Sequence, residues 1–251
     1  MRETARNLQR RWRAGAAAAA MLALTGACQF EVRPRPPAEA RAAAQATPAA
    51  TRSPATQQIP RGTFNETEFQ EDLQTAETAT DDFWRRHWTE LFTGSYTAPR
   101  VVGLYDGRDP SSAPRCGKER LTRDNAAYCP SGDYVAWDAH LMRSGYARGD
   151  AWVYLVIAHE WGHAVQARLQ RGLVSPAAEL QADCLAGAVL YGSADDGTLQ
   201  FEDGDEQELV DAFKVIGDKA PWTKPGDHGS AVQRLRSFSR GGENGVKACF
   251  T

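Results

Sequence analysis

Apolar residues recur at helical spacing across residues 64–92. Phe64, Phe69, Leu73, Trp84, Trp88 and Leu91 stand among polar and charged positions, which predicts a long amphipathic helix and places the start of the folded part near Phe64. Residues 100–105 (RVVGLY) and 133–138 (DYVAWD) read as strands, the second alternating and aromatic. Asp150 is a good N-cap for a helix running from Ala151 to about Gln170 and stopping before Gly172. Ser175 followed by Pro176 is the signature of a further helix start, with apolar residues continuing to about Tyr191. Leu209, Phe213 and Ile216 share one face of a helix over about 206–218, and a last helix begins near Ser230. The acidic stretch between, 192–208, lacks the regular ligand spacing of a calcium loop and reads as a solvated connection.

Upstream of Phe64 the pattern changes. Residues 29–60 hold Pro34, Pro36, Pro37, Pro48, Pro54 and Pro60 among many alanines and almost no large apolar side chains. Such a stretch cannot bury enough surface to offset its ordering entropy, so a disordered tether is expected there. Before it, Arg2, Arg6, Arg10, Arg11 and Arg13 precede a short apolar run over 14–24. That run falls well below the roughly 20 residues needed to span a bilayer, and the combination reads as a secretory signal. It ends in LTGAC (24–28), which resembles the lipobox of bacterial lipoproteins and implies lipidation of Cys28. An ordinary cleaved signal, giving a secreted protein, is the alternative. The expected division is therefore signal 1–28, tether 29–60 and folded domain 61–251.

The chain has 251 residues, five cysteines and a formal net charge of −3. Nothing in that balance points to nucleic acid. With Cys28 set aside, Cys116, Cys129, Cys184 and Cys249 remain, an even number that reads as two disulfides in an exported chain. Three pairings are possible. Cys116–Cys129 would close a short local loop, and Cys184–Cys249 would tie the C-terminus to the central helices. This pair of bonds is the one expected here.

The chemistry is concentrated in VIAHEWGHAVQ, residues 156–166. His159 and His163 lie one helical turn apart on one face, so their imidazoles can converge on a single Zn²⁺. Glu160 is not needed as a ligand and can take a proton from the water that such a metal activates. A buried face carrying these polar groups without partners would cost roughly 2–7 kcal/mol for each. ELQAD (179–183) offers the rest: Glu179 as third ligand, and Asp183, on the same face, to orient a ligand histidine through its other ring nitrogen. Only fifteen residues separate His163 from Glu179. A strictly antiparallel helix pair would leave Glu179 short of the metal, so the helices must cross at an angle or the first must end early. His228, in GDHGS, is a candidate to steady the oxyanion of a tetrahedral intermediate, or else a capping or core histidine. The strand at 133–138 is a candidate edge for pairing with an extended peptide.

Together, AHEWGHAVQ, ELQADCLAG and HGSAVQR resemble three blocks of the neutral zinc metallopeptidases of bacteria, over roughly residues 64–250. The resemblance implies an α+β zincin-like fold, mainly helical with a small sheet beside the active-site helix. It implies His159, His163 and Glu179 as zinc ligands and Glu160 as catalytic base. The expected protein is thus a membrane-tethered zinc peptidase outside the cytoplasm, acting on peptide or protein substrates. Two rivals are a non-catalytic zinc-containing lipoprotein that binds envelope partners and a zinc hydrolase of non-peptide bonds.

Overall fold

A computed structural model of the chain describes residues 64–217 and 229–250. The segments expected to be signal and tether, with Cys28 and His228, lie outside the described residues. Helix α1, Glu66–Leu91, starts where the Asn65 side chain accepts from the Thr67 and Glu68 N–H groups. Its inner face, Phe69, Leu73, Ala76, Thr80, Phe83, Trp84 and Trp88, is buried. Five strands follow: β1 (Arg100–Tyr105), β2 (Arg115–Cys116), β3 (Glu119–Arg120), β4 (Ala126–Cys129) and β5 (Tyr134–Asp138). Helices α2 (Ala139–Tyr146), α3 (Ala151–Arg168), α4 (Ala178–Asp195), α5 (Asp205–Ile216) and α6 (Ala231–Asn244) complete the described part, with 3₁₀ turns at Arg171–Leu173 and Val246–Phe250. The result is a mainly helical α+β arrangement. No helix among the described residues is long and apolar enough to cross a membrane.

The main sheet has the order β1-β5-β4, with β1 parallel and β4 antiparallel to β5. Every residue of β5 is buried. The strand expected to be an edge is therefore the central one, and its two neighbours occupy the hydrogen bonds a peptide would need. The outer strands are β1 and β4, and of these β4 packs against α3, the helix that carries His159 and His163. The N–H···O phase of β4 follows from one bond: Asp138 N–H donates to Asn125 O at 2.8 Å. With a period of two, Ala127 and Cys129 turn their main-chain groups toward β5, and Ala126 and Tyr128 turn theirs away.

Helix α3 is apolar nearly all round, as a helix enclosed by other elements must be, and is wrapped by α1, α2, α4, α5 and the sheet. It starts at Ala151, where the sequence reading places it, but without the expected side-chain cap. Asp150 has helical backbone angles and makes no side-chain cap. The orphan N–H of Ala151 instead finds Glu208 Oε2 of α5 at 3.3 Å, so a tertiary contact takes the place of the local cap. Helix α4 starts later than Ser175-Pro176 suggests, at Ala178, because Ser175 Oγ accepts from the Ala177 N–H in a tight turn of its own. Helix α2 was not expected. Asp138 begins it, and its buried carboxylate accepts N–H bonds from Gly107, Asp124, His140 and Leu141.

Two disulfides join Cys116 to Cys129 and Cys184 to Cys249. The first ties the β2–β3 ribbon to β4; the second ties α4 to the C-terminal turn. The 65-residue separation of the second makes it the more stabilising in chain-entropy terms, about 2–4 kcal/mol. Peptide mapping without reduction should recover these two cross-links, and a Cys116–Cys249 peptide would contradict the arrangement.

Candidate metal centre

His159 and His163 rise from consecutive turns of α3, and Glu179 comes from the first turn of α4. Their meeting depends on two features. Helix α3 ends at Arg168, earlier than its apolar pattern suggests, which frees chain for the connection. At Gly162, between the two histidines, α4 comes so close that a Cβ would lie 3.0 Å from Ala182 O and 3.1 Å from its Cα. A side chain there would push α4, and Glu179 with it, away from the imidazoles.

The donor atoms converge. His159 Nε2 is 3.2 Å from His163 Nε2, and each faces one oxygen of Glu179 at 3.3 Å. Four-coordinate zinc with bonds of about 2.0–2.1 Å holds neighbouring ligand atoms about 3.3 Å apart by tetrahedral geometry. The donor set fits that metal in kind and in spacing. The outer ring nitrogens support the same conclusion. His159 Nδ1 lies 2.9 Å from Asp183 Oδ1, and His163 Nδ1 lies 2.9 Å from Gln166 Oε1. Both acceptors call for Nδ1–H, so both Nε2 atoms turn a lone pair toward each other and toward a carboxylate. A metal ion seated between the three would satisfy all of these lone pairs at once.

Electrostatics agree. Burial opposes charge on His159, but the Asp183 charge and the hydrogen bonds of Asp183 and Glu179 outweigh it and lift its pKa to about 10. Burial also opposes charge on His163, and Glu179 overcomes it, so that pKa too is raised. The negative charge that holds these protons would also attract a metal cation, which must displace them in order to bind.

Glu160 is 8% exposed and projects between α3 and β4, where its Oε2 accepts the outward-facing N–H of Tyr128 at 2.8 Å. One carboxylate oxygen is thereby fixed. Glu160 and His159 border a cavity of about 100 Å³, with Leu141, Trp152, Leu155, Val156 and Ile216 as its apolar walls.

A buried arginine escaped the sequence reading. Arg234 of α6 is 4% exposed and grips the fully buried Asp183 with two bonds, Nε to Oδ2 and Nη2 to Oδ1, both 2.8 Å. Nη1 donates to Ile216 O at 2.9 Å. Burial works against the Asp183 charge, yet the charges of Arg234 and His159 hold its pKa below the ordinary carboxylate value. The contact requires α6 to cross α4 backbone to backbone: a Cβ at Gly241 would collide with the carbonyl oxygen of Cys184. A hint was present in the sequence, since Arg234 falls on the same face of α6 as the buried Leu235 and Phe238.

The profile of one protein family, described as "Putative neutral zinc metallopeptidase", matches residues 38–251. The chain belongs to this family. It shares the family's zincin-like α+β fold, with the small sheet beside the helix that carries His159 and His163. Among curated proteins, this family member is 30% identical over 198 residues to Uncharacterized protein YpfJ of Escherichia coli, covering 67% of this chain and 66% of that one. It is 29% identical over 194 residues to Uncharacterized protein Rv2575 of Mycobacterium tuberculosis, covering 63% of each. The chain thus spans somewhat less than two thirds of the length of these relatives. No solved structure matches it.

Proposed function

We propose that the protein hydrolyses peptide bonds, with zinc held by His159, His163 and Glu179 and with Glu160 as general base. The observation that carries this reading is the convergence of the three donors at 3.2–3.3 Å on the face of α3 that also carries Glu160. A bound zinc would supply a Lewis acid for the scissile carbonyl and a water of lowered pKa. The remaining roles belong to the chain. Tyr128 N–H holds Glu160 Oε2, leaving Oε1 to accept the water's proton and later deliver it to the departing amine nitrogen. Asp183, itself held by Arg234, keeps His159 in the tautomer that points Nε2 inward. The outward main-chain groups of Ala126 on β4 form a short edge on which an extended substrate can add as a strand.

The cavity beside Glu160 is lined mainly by aliphatic and aromatic side chains, so the substrate residue entering it is expected to be apolar. Digestion of an unbiased peptide library tests both points. Cuts should cluster next to apolar residues, and Val156→Phe, which narrows the cavity, should lower cleavage beside the largest of them by about 10–200-fold. A library left intact by zinc-loaded protein would refute the peptidase reading; cuts without apolar preference would refute the role of the cavity. The basic and apolar pattern of residues 1–28 supports placing the enzyme outside the cytoplasm, anchored to the membrane through lipid on Cys28, and the two disulfides suit that compartment. Mass analysis of the mature N-terminus decides between a lipidated Cys28 and an unmodified one.

A further inference from the structure

Behind His163 stand two buried glutamines, Gln166 and Gln181, 7% and 2% exposed. We propose that they form an amide relay that positions His163, setting its tautomer from fixed points in the backbone and tying its ring to the C-terminal segment. The inference rests on the zinc reading above and adds to it two residues that are neither metal ligands nor the general base.

The direction of every bond in the relay can be deduced, because backbone carbonyls only accept and backbone N–H groups only donate. Gln181 Nε2 lies 2.8 Å from Leu173 O and 3.1 Å from Cys249 O, two acceptors, so this end of the amide is its NH₂. Its Oε1 then accepts from the Ser175 N–H at 3.0 Å, a donor that fixes the same orientation independently. That oxygen also accepts from Gln166 Nε2 at 3.1 Å. Gln166 Nε2 donates as well to Ala178 O at 2.7 Å, which fixes the second amide by the same rule. Gln166 Oε1 remains, and it faces His163 Nδ1 at 2.9 Å. The ring nitrogen must be the donor. In the neutral ring that binds a metal, Nε2 is thereby left as the atom with a lone pair, turned toward His159 and Glu179.

The two imidazoles are thus oriented by different means. His159 answers to an anion, Asp183, and His163 to a neutral amide whose orientation is over-determined. The relay also explains how the short connection between α3 and α4 is held. Gln181 bonds the loop at Leu173 and Ser175, its own helix α4 carries Glu179, and its bond to Cys249 meets the segment that the Cys184–Cys249 disulfide pins one turn further along α4. A buried amide pair serving only to fill space would have no need to end on a ring nitrogen of the metal centre.

The test uses the whole folded chain and zinc alone as probe. Gln166→Met keeps the length of the side chain and removes its hydrogen bonds. Zinc affinity, read by competition with a chromogenic chelator, is expected to fall about 10–100-fold, the usual effect of losing a group that orients a metal ligand. The imidazole ¹⁵N spectrum of zinc-loaded wild type gives a second readout that does not depend on any variant folding. It should show His163 protonated at Nδ1 and metal-bound through Nε2, with the Nδ1 proton shielded from solvent exchange; in Gln166→Met that shielding should be lost. Wild-type affinity in a folded Gln166→Met, or coordination of His163 through Nδ1, would overturn the relay while leaving the metal centre in place. Wild type that takes up no zinc would overturn the metal reading and the relay with it.

Discussion

Replacing Glu160 by glutamine is expected to leave zinc content and folding near wild type and to lower peptide turnover by about 10²–10⁴-fold, the usual contribution of a positioned general base. The separation of the two effects follows from the structure. A glutamine Oε1 can still accept the Tyr128 N–H that now reaches Glu160 Oε2 at 2.8 Å, so the side chain keeps its place between α3 and β4. Neither the three converging donors nor the apolar packing of α3 depends on its charge. What is lost is the second oxygen's capacity to take a proton. Steady-state kinetics on a cleaved library peptide, with zinc measured on the same sample, checks this. Equal turnover in Glu160→Gln would remove Glu160 from its role while leaving the enzyme class standing.

Arg234→Met is expected to cost about 3–5 kcal/mol of stability, because it strands the Asp183 carboxylate, which is fully buried, without its cation. For a folded part of this size that corresponds to a drop in melting temperature of roughly 6–20 °C. Removing both charges together, as Asp183→Asn with Arg234→Met, should recover much of the loss, since no unpaired charge is then buried. The double variant should nevertheless bind zinc about 10–100-fold more weakly, because His159 no longer has an anion at Nδ1. Thermal melts and zinc competition on the single and double variants separate the two consequences. If the single variant melts like wild type, the buried ion pair is not what holds α6 to α4 at the metal centre.

The contrast between these two residues shows which parts of the site could be read from the sequence. His159, Glu160 and His163 are related by helical geometry alone, and so are Glu179 and Asp183, so their spacing announced them. Arg234 stands 51 positions from Asp183, and their contact exists only because α4 and α6 cross in close contact at Gly241. No local period encodes that crossing. The strands show the same limit. Alternation found the segment at 133–138, but whether it sits at the edge or the centre depends on β4, whose four residues are too few to make a pattern. The start of α3 at Ala151 was legible, but the group that caps it was not. Asp150 has the residue type of an N-cap, yet Glu208 reaches Ala151 from another helix. Gln166 and Gln181 were not singled out by the sequence, because only their carbonyl partners, distant in sequence, give them a role.

The most direct test of the central claim is to strip the protein of metal with a chelator, return zinc in measured increments and follow cleavage of a library peptide at each step. Cleavage is expected to be absent at the start, to rise in proportion to zinc, and to reach its plateau at one zinc per chain, with no recovery in His159→Ala or His163→Ala. Cleavage that survives complete removal of metal, or one zinc taken up per chain with no cleavage at any point, would contradict the account.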